Sequence, residues 1–274
     1  MNTLYRLILV VVGILAGTKA WAAEIIRVGV VPQFDLRQID TVWTPILAKL
    51  GHATGLQFRL DLVTDIPSFE KALEEGRFDL AYMNPYHFVV AHRLQGYEAL
   101  VRDRHGKLSG IIVVAAQSPI TSIEQLDGKV VAFPSPNAMG AALIPRAEFV
   151  RKFHIAIIAH YVKSHSSVYL NVASGLADAG GGIAATLAMQ PEETRQRLRV
   201  LYETTAFPPH PLAAHPRLDA RTRQHIAQAF IALAESADGK ALLAEIPMPD
   251  PGTASSGDYQ SLASLGLDEF YVRP

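Results

Sequence analysis

Apolar positions along the chain switch repeatedly between a period of two and a period near 3.6. Residues 24–31 (EIIRVGVV) form a β-branched run that predicts a strand. A loop is expected over 32–40. Val42, Trp43, Ile46, Leu47 and Leu50 then fall at helical spacing, bracketed at the end by Gly51 and Gly55. Leu56, Phe58, Leu60 and Leu62 alternate as a half-buried strand does. Phe69, Ala72 and Leu73 predict a short helix stopping at Gly76, residues 78–83 a strand, and Pro85 the start of a helix through Leu94. Strands are expected near 98–101 and 110–116. Thr121 and Glu124 then suit a capping box for a short helix ending at Asp127-Gly128.

The second half repeats the alternation. Residues 130–133 read as a buried strand ended by Pro134 and Pro136. Asn137-Ala138-Met139-Gly140 makes a tight corner into a helix carrying Leu143, Ile144, Phe149 and Val150. A strand over 155–162, a helix over 166–174 closed by Gly175, a small-residue strand over 177–181, a surface helix over 190–197 and a strand over 198–203 follow. Residues 204–216, rich in proline, read as a crossover, and 221–234 as a long helix. Successive β-α-β units imply parallel sheets with helices on their faces. With no solvated linker between the two blocks, lobes joined by short crossing segments are expected.

The chain has 274 residues, 49% hydrophobic and 19% charged, enough for two lobes. A formal net charge of −1 gives no global field to recruit nucleic acid or an anionic membrane. The absence of cysteine excludes disulfides, thiolate catalysis and cysteine metal sites. At the N-terminus Arg6 precedes an apolar run over 7–16 and the small-x-small triplet Ala20-Trp21-Ala22, which predicts a cleaved signal peptide over 1–22 and an exported protein.

Catalytic and metal signatures fail. GxSxG, HExxH and GxxxxGK[ST] are absent. His154, His160 and His165 stand five or six residues apart, as do His87 and His92, so no pair shares a helical face for a metal. Ser135, His165 and Asp178 carry no spacing that supports a triad, and Asp79 and Asp178 read as turn and helix-end hydrogen-bonding groups. Neither an enzyme, a cofactor nor a metal site is expected. The corner at 137–140 is different: a strand turning directly into a helix points free backbone N–H groups at whatever sits above it, which suits an anion. An ordinary βα connection has the same pattern.

Several segments in order resemble the phosphonate/phosphite-type periplasmic substrate-binding proteins of ABC transporters. They are Trp43-Thr44-Pro45; Gly76-Arg77-Phe78-Asp79-Leu80-Ala81-Tyr82-Met83-Asn84-Pro85; and Asp127 to Phe133 running through Pro136-Asn137 to Leu143-Ile144-Pro145. Ser164-His165-Ser166-Ser167 with Gly175 to Ala179, and Val200-Leu201-Tyr202 with Pro208 to Pro211, complete the set. The resemblance implies an α/β, two-lobed type II binding-protein fold, each lobe a mostly parallel sheet flanked by helices around an interlobe cleft. Lobe 1 is expected over 24–112 plus 205–274 and lobe 2 over 113–204. It further implies a periplasmic monomer that captures a small anionic ligand, a phosphonate, phosphite or phosphate-like ion or a small organic acid, for an ABC permease. The alternative is a sensing subunit that reports to the periplasmic domain of a histidine kinase.

By the same resemblance the ligand-binding residues are Tyr82, Met83, Asn84, Tyr86, Asn137, Ala138, Met139, Gly140, His165 and His210. The chain departs from the family where it has Ala138-Met139-Gly140-Ala141 in place of a hydroxyl-rich S-T-S-G motif. Ile66 and Met83 stand where pocket tyrosines are expected, and Ala185 near a glutamate that would pair with an ammonium group. An aminoalkyl phosphonate therefore lacks its partner, whereas His165 and His210 remain to hold a small oxyanion or carboxylate. Met139 fits either a pocket wall or a core gap, His165 either a ligand or a local bond, and His210 either the ligand or the crossover.

Overall fold

The structure, a computed structural model, describes residues 25–274; the expected signal segment lies outside them. The chain begins with β1 (Ile25–Val30), α1 (Leu36–Thr54), β2 (Gln57–Leu60), α2 (Ile66–Glu74), β3 (Leu80–Tyr82), α3 (Pro85–Gln95) and β4 (Glu98–Asp103). Next come β5 (Gly110–Ala115), β6 (Val130–Phe133), α4 (Ile144–Arg151), β7 (Ile158–Tyr161), α5 (His165–Ala173), β8 (Ala179–Ile183), α6 (Ala184–Ala188), α7 (Glu192–Gln196) and β9 (Leu198–Glu203). It closes with β10 (Leu212–Ala214), α8 (Ala220–Ala232), α9 (Ala237–Ala244), β11 (Pro251–Thr253) and α10 (Gln260–Ala263).

Two sheets result, ordered β11-β4-β10-β3-β1-β2 and β7-β6-β8-β5-β9. One order recurs in both, since β2-β1-β3-β10-β4 matches β7-β6-β8-β5-β9. The pairs among β1, β2 and β3 and among β6, β7 and β8 are parallel, as βαβ units require. β10 runs against β3 and β4, and β5 against β8 and β9. The sheets are thus mixed where a strand arrives directly from the other sheet, with no crossover helix to bring it in parallel. The two crossing segments lie side by side: Leu108 and Phe207 exchange backbone hydrogen bonds of 2.8 Å each. β5 pairs in the second sheet from Gly110 onward, ahead of the expected division at 112/113.

Other boundaries shift for local reasons. α1 starts six residues before Val42, because the Asp35 carboxylate accepts from the Gln38 N–H at 2.9 Å and nucleates a turn within the expected loop. The capping box lies one residue beyond Thr121–Glu124, as Ser122 and Gln125, where Gln125 Oε1 accepts from the Ser122 N–H at 3.3 Å. β10 sits inside the expected crossover and is fully buried; three residues between prolines are too few to show a period. α6 and the elements after α8 were not anticipated.

The corner after β6 is pressed onto both β8 and β5. It forms a π-helical turn, Met139–Leu143, that runs straight into α4. A Cβ on Gly181 of β8 would lie 1.8 Å from the Ala141 carbonyl oxygen, and one on Gly110 of β5 would lie 1.9 Å from that of Gly140. Only glycine permits backbone approach this close, which explains the small-residue strand. Gly181→Ala is expected to destabilise the protein by about 3 kcal/mol or more through overpacking. Gly128→Ala, at φ +70 with nothing within 4 Å, should lose only about 1 kcal/mol from backbone strain. Urea unfolding of both variants checks the difference.

Candidate functional site

Three capped helix starts and the uncapped corner converge between the sheets. Asp65 caps α2 by accepting from the Ser68 N–H (2.8 Å), which makes Ile66 its first residue. Asn84 caps α3 by accepting from the His87 N–H (2.8 Å), and Ser164 caps α5 by accepting from the Ser167 N–H (3.1 Å), with His165 first in that helix. The corner has no side-chain cap, and the N–H groups of its first turn, on Met139, Gly140 and Ala141, have no intrahelical acceptor. These elements enclose a cavity of about 10 Å³, barely room for one water. Its walls are Val31, Gln33, Ile66, Asn84, Leu108, Ala138, Met139, Gly140, Ala141, His165, Ile183 and His210. Larger ligands enter only if the lobes part or Met139 swings aside.

Two histidines supply the ring nitrogens. His165 Nδ1 lies 3.1 Å from Thr186 Oγ1, itself bonded to Tyr169 Oη (2.8 Å) and the Ile183 carbonyl (3.0 Å). His210 stacks on Tyr82 at 5.4 Å and places Nε2 3.4 Å from Gln33 Nε2. Burial pushes His165 down to about 4. Burial, reinforced by His87 and His165 nearby, pushes His210 down to about 3. Both are neutral at pH 7, and no lysine or arginine lines the cavity.

Beside the cavity Asn137, only 2% exposed, ties the two sheets together. Its Nδ2 donates to Glu70 Oε2 on α2 (3.0 Å) and to the Val272 carbonyl (2.6 Å), while Oδ1 accepts from the Val272 N–H (2.9 Å). Its own carbonyl accepts from Asn84 Nδ2 at 3.2 Å. Glu70 Oε1 lies 2.7 Å from His87 Nε2, and Nδ1 of that ring has no partner. The C-terminal segment extends the clamp. Arg146 donates to the Phe270 carbonyl (3.1 Å), Arg151 to those of Leu265 and Gly266 (2.7 Å each), and Tyr86 to Asp268 (3.0 Å).

Of the residues expected to bind ligand, Asn84, Ala138, Met139, Gly140, His165 and His210 come together around the cavity, as does Ile66. Four do not line it. Met83 is a core residue of the first sheet, its N–H donating to the Pro211 carbonyl, because β3 turns that side chain inward. Tyr86 points to the C-terminal segment and packs on Tyr271 at 5.8 Å. Asn137 is consumed by the clamp. Tyr82 backs His210 from behind, and its hydroxyl has no partner. Gln33, at the carboxyl end of β1 where open α/β sheets bind ligands, was missed although its position signalled it. Leu108 and Ile183 gave no signal. Ala185 lines an adjoining groove of about 380 Å³ with Lys107 and Ser109. No triad forms: His165 pairs with Thr186, while Asp178 accepts from the Val130 N–H (2.9 Å). Among the described residues no cluster of histidine and carboxylate groups is placed to hold a metal, and no helix is long and apolar enough to cross a membrane.

Asn137→Ala would strip one donor from the buried Glu70, at about 1–3 kcal/mol for a buried group left short of a partner, would release the partly buried bonds to Val272, and is expected to shift the lobes toward an open state. The cysteine-free chain allows a direct check: labels at Leu94→Cys and Leu176→Cys, both exposed, should report a longer interlobe distance in Asn137→Ala. The histidines predict a pH dependence. In the unfolded chain each imidazole takes up a proton near 6.5, whereas the buried rings stay neutral until about 4 and about 3. Stability is therefore complete above about pH 6.5 and falls as the pH drops below it, by the order of 3 kcal/mol per histidine at pH 4. Urea midpoints between pH 7 and 4 should show the loss, reduced in His165→Gln and in His210→Gln.

A sequence model of the family described as ABC transporter, phosphonate, periplasmic substrate-binding protein matches residues 28–259. A curated relative, the phosphate-import protein PhnD of Mycolicibacterium smegmatis, is 23% identical over 173 residues, covering 61% of this chain and 52% of the relative. The match thus spans about half of the relative's length. Among solved structures, PhnD1 from Prochlorococcus marinus in complex with methylphosphonate has a TM-score of 0.79 at 15% identity, covering 89% of this chain and 97% of its own. A binding-protein component of an ABC phosphonate transporter from Pseudomonas aeruginosa has 0.76 at 16%, covering 87% and 84%. These likenesses carry the type II fold. With the family model spanning both sheets, the chain belongs to the phosphonate-type periplasmic substrate-binding proteins of ABC transporters.

Proposed function

We propose that the protein binds a small phosphonate- or phosphite-like oxyanion between its lobes in the periplasm and delivers it to an ABC permease as a monomer. The first lobe would comprise residues 25–109 with 205–274 and the second 110–204. The observation that carries this reading is the convergence of helix starts, with the uncapped amides of Met139, Gly140 and Ala141, on a buried cavity also reached by His165 and His210. Oriented N–H groups and helix N-termini favour an anion, and closure removes competing water. Backbone donors replace the hydroxyls of the family motif, and the walls from Val31, Ile66, Leu108 and Ile183 favour a compact ligand with little beyond its oxyanion head. Ala185 leaves an ammonium substituent without a partner. Export accords with the Arg6-led apolar segment ending at Ala22. No feature of the site favours the sensing role.

The test is a thermal-shift and calorimetric screen of phosphate, phosphite, methylphosphonate and small carboxylates. A ligand at about 100 times its Kd should add about 2.7 kcal/mol of stability. His165→Gln is expected to weaken that ligand about tenfold, the value of one hydrogen bond to a charged group. Binding of carboxylates with no response to any phosphorus oxyanion would replace the ligand class.

A further inference from the structure

The charge around the cavity is one-sided. None of its wall residues is a lysine or arginine, and both of its histidines are buried. One helical turn behind Ile66 on α2 stands Glu70, 2% exposed, a buried carboxylate held by His87 and Asn137. Other charged and titratable groups lie on the neighbouring elements but outside the cavity wall, among them Asp65 at the α2 cap with Lys163 nearby. Arg146 on α4 is spent on the Pro136 and Phe270 carbonyls, Arg93 on α3 pairs with Asp268, Tyr82 behind His210 is a neutral phenol, and Lys107 is exposed in the outer groove. Within the wall itself the positive potential comes from backbone amides and helix starts, and these are partial charges.

Building on the oxyanion reading above, we propose that the cavity takes its ligand with a single negative charge and rejects the doubly charged form. Partial charges from a few N–H groups can balance one buried anionic charge. A second one, in a closed site without a cation in its wall, is left uncompensated. An oxyanion that keeps one proton also gains a donor, which the acceptor nitrogen of a neutral imidazole can receive. For an acid whose second proton leaves near neutral pH, only the monoanionic fraction is competent, and the apparent Kd rises accordingly.

The experiment is calorimetric titration of the mature protein from pH 6 to 9 with methylphosphonate, which ionises twice in water, and with hypophosphite, which carries one charge throughout. The expected result is a methylphosphonate Kd that rises about tenfold per pH unit above its second ionisation, with a hypophosphite Kd that stays flat. A methylphosphonate affinity that is constant or improves with pH overturns the proposal. So does a parallel loss for both ions, which would place the titrating proton on the protein. Phosphorus NMR of bound methylphosphonate at pH 8.5 reads the charge state directly: a shift near the monoanion supports the proposal, and one near the dianion refutes it. Failure of both ions to bind at any pH removes the oxyanion reading itself and the proposal with it, and is distinguishable from a wrong charge state.

Discussion

Asn137 is the residue on which the relation between the two sheets turns. Its side chain satisfies both amide donors and its acceptor with groups from the opposite side, and its carbonyl takes a further bond from Asn84. The bonds to Glu70 and Asn84 are buried and those to Val272 partly so, and giving up the buried pair would leave polar groups unpaired inside the interface. Glu70 depends on it most. A carboxylate at 2% exposure is tolerable only with donors in place, and Asn137 and His87 supply them from different lobes. Closing the cleft therefore supplies Glu70 with its second partner.

The cavity beside this clamp is a product of backbone rather than side-chain chemistry. Gly110 and Gly181 let the corner's carbonyls lie directly on β5 and β8, which seats Ala138 to Ala141 in the cavity wall. Because both sheets share one strand order, the helix starts that follow their strands face each other across the gap. The loss of hydroxyls from the corner, compared with the family motif, leaves that arrangement intact and removes only side-chain donors. Family membership and an altered first layer of ligand chemistry are compatible for this reason. Without lysine, arginine or a protonated histidine in the wall, the site has dipoles to offer where another site might offer charge.

The alternation of apolar periods determined by itself most strands and helices, the two α/β blocks, and the corner at 137–140 as a place to look. Those features are local, set by periodicity, by proline and by glycine within a few residues. The same locality explains the errors. Asp35 moved a helix start, and β10 was too short to read. Tertiary structure alone decided that Asn137 grips Glu70 and Val272, that Met83 turns into the core, and that Leu108 and Ile183 meet at the cavity. It also decided the neutrality of His165 and His210, since a histidine's charge depends on the burial that distant segments impose. Contacts made across 135 residues of chain, as between Asn137 and Val272, leave no period in the sequence, because their partners are chosen by the packing of whole sheets.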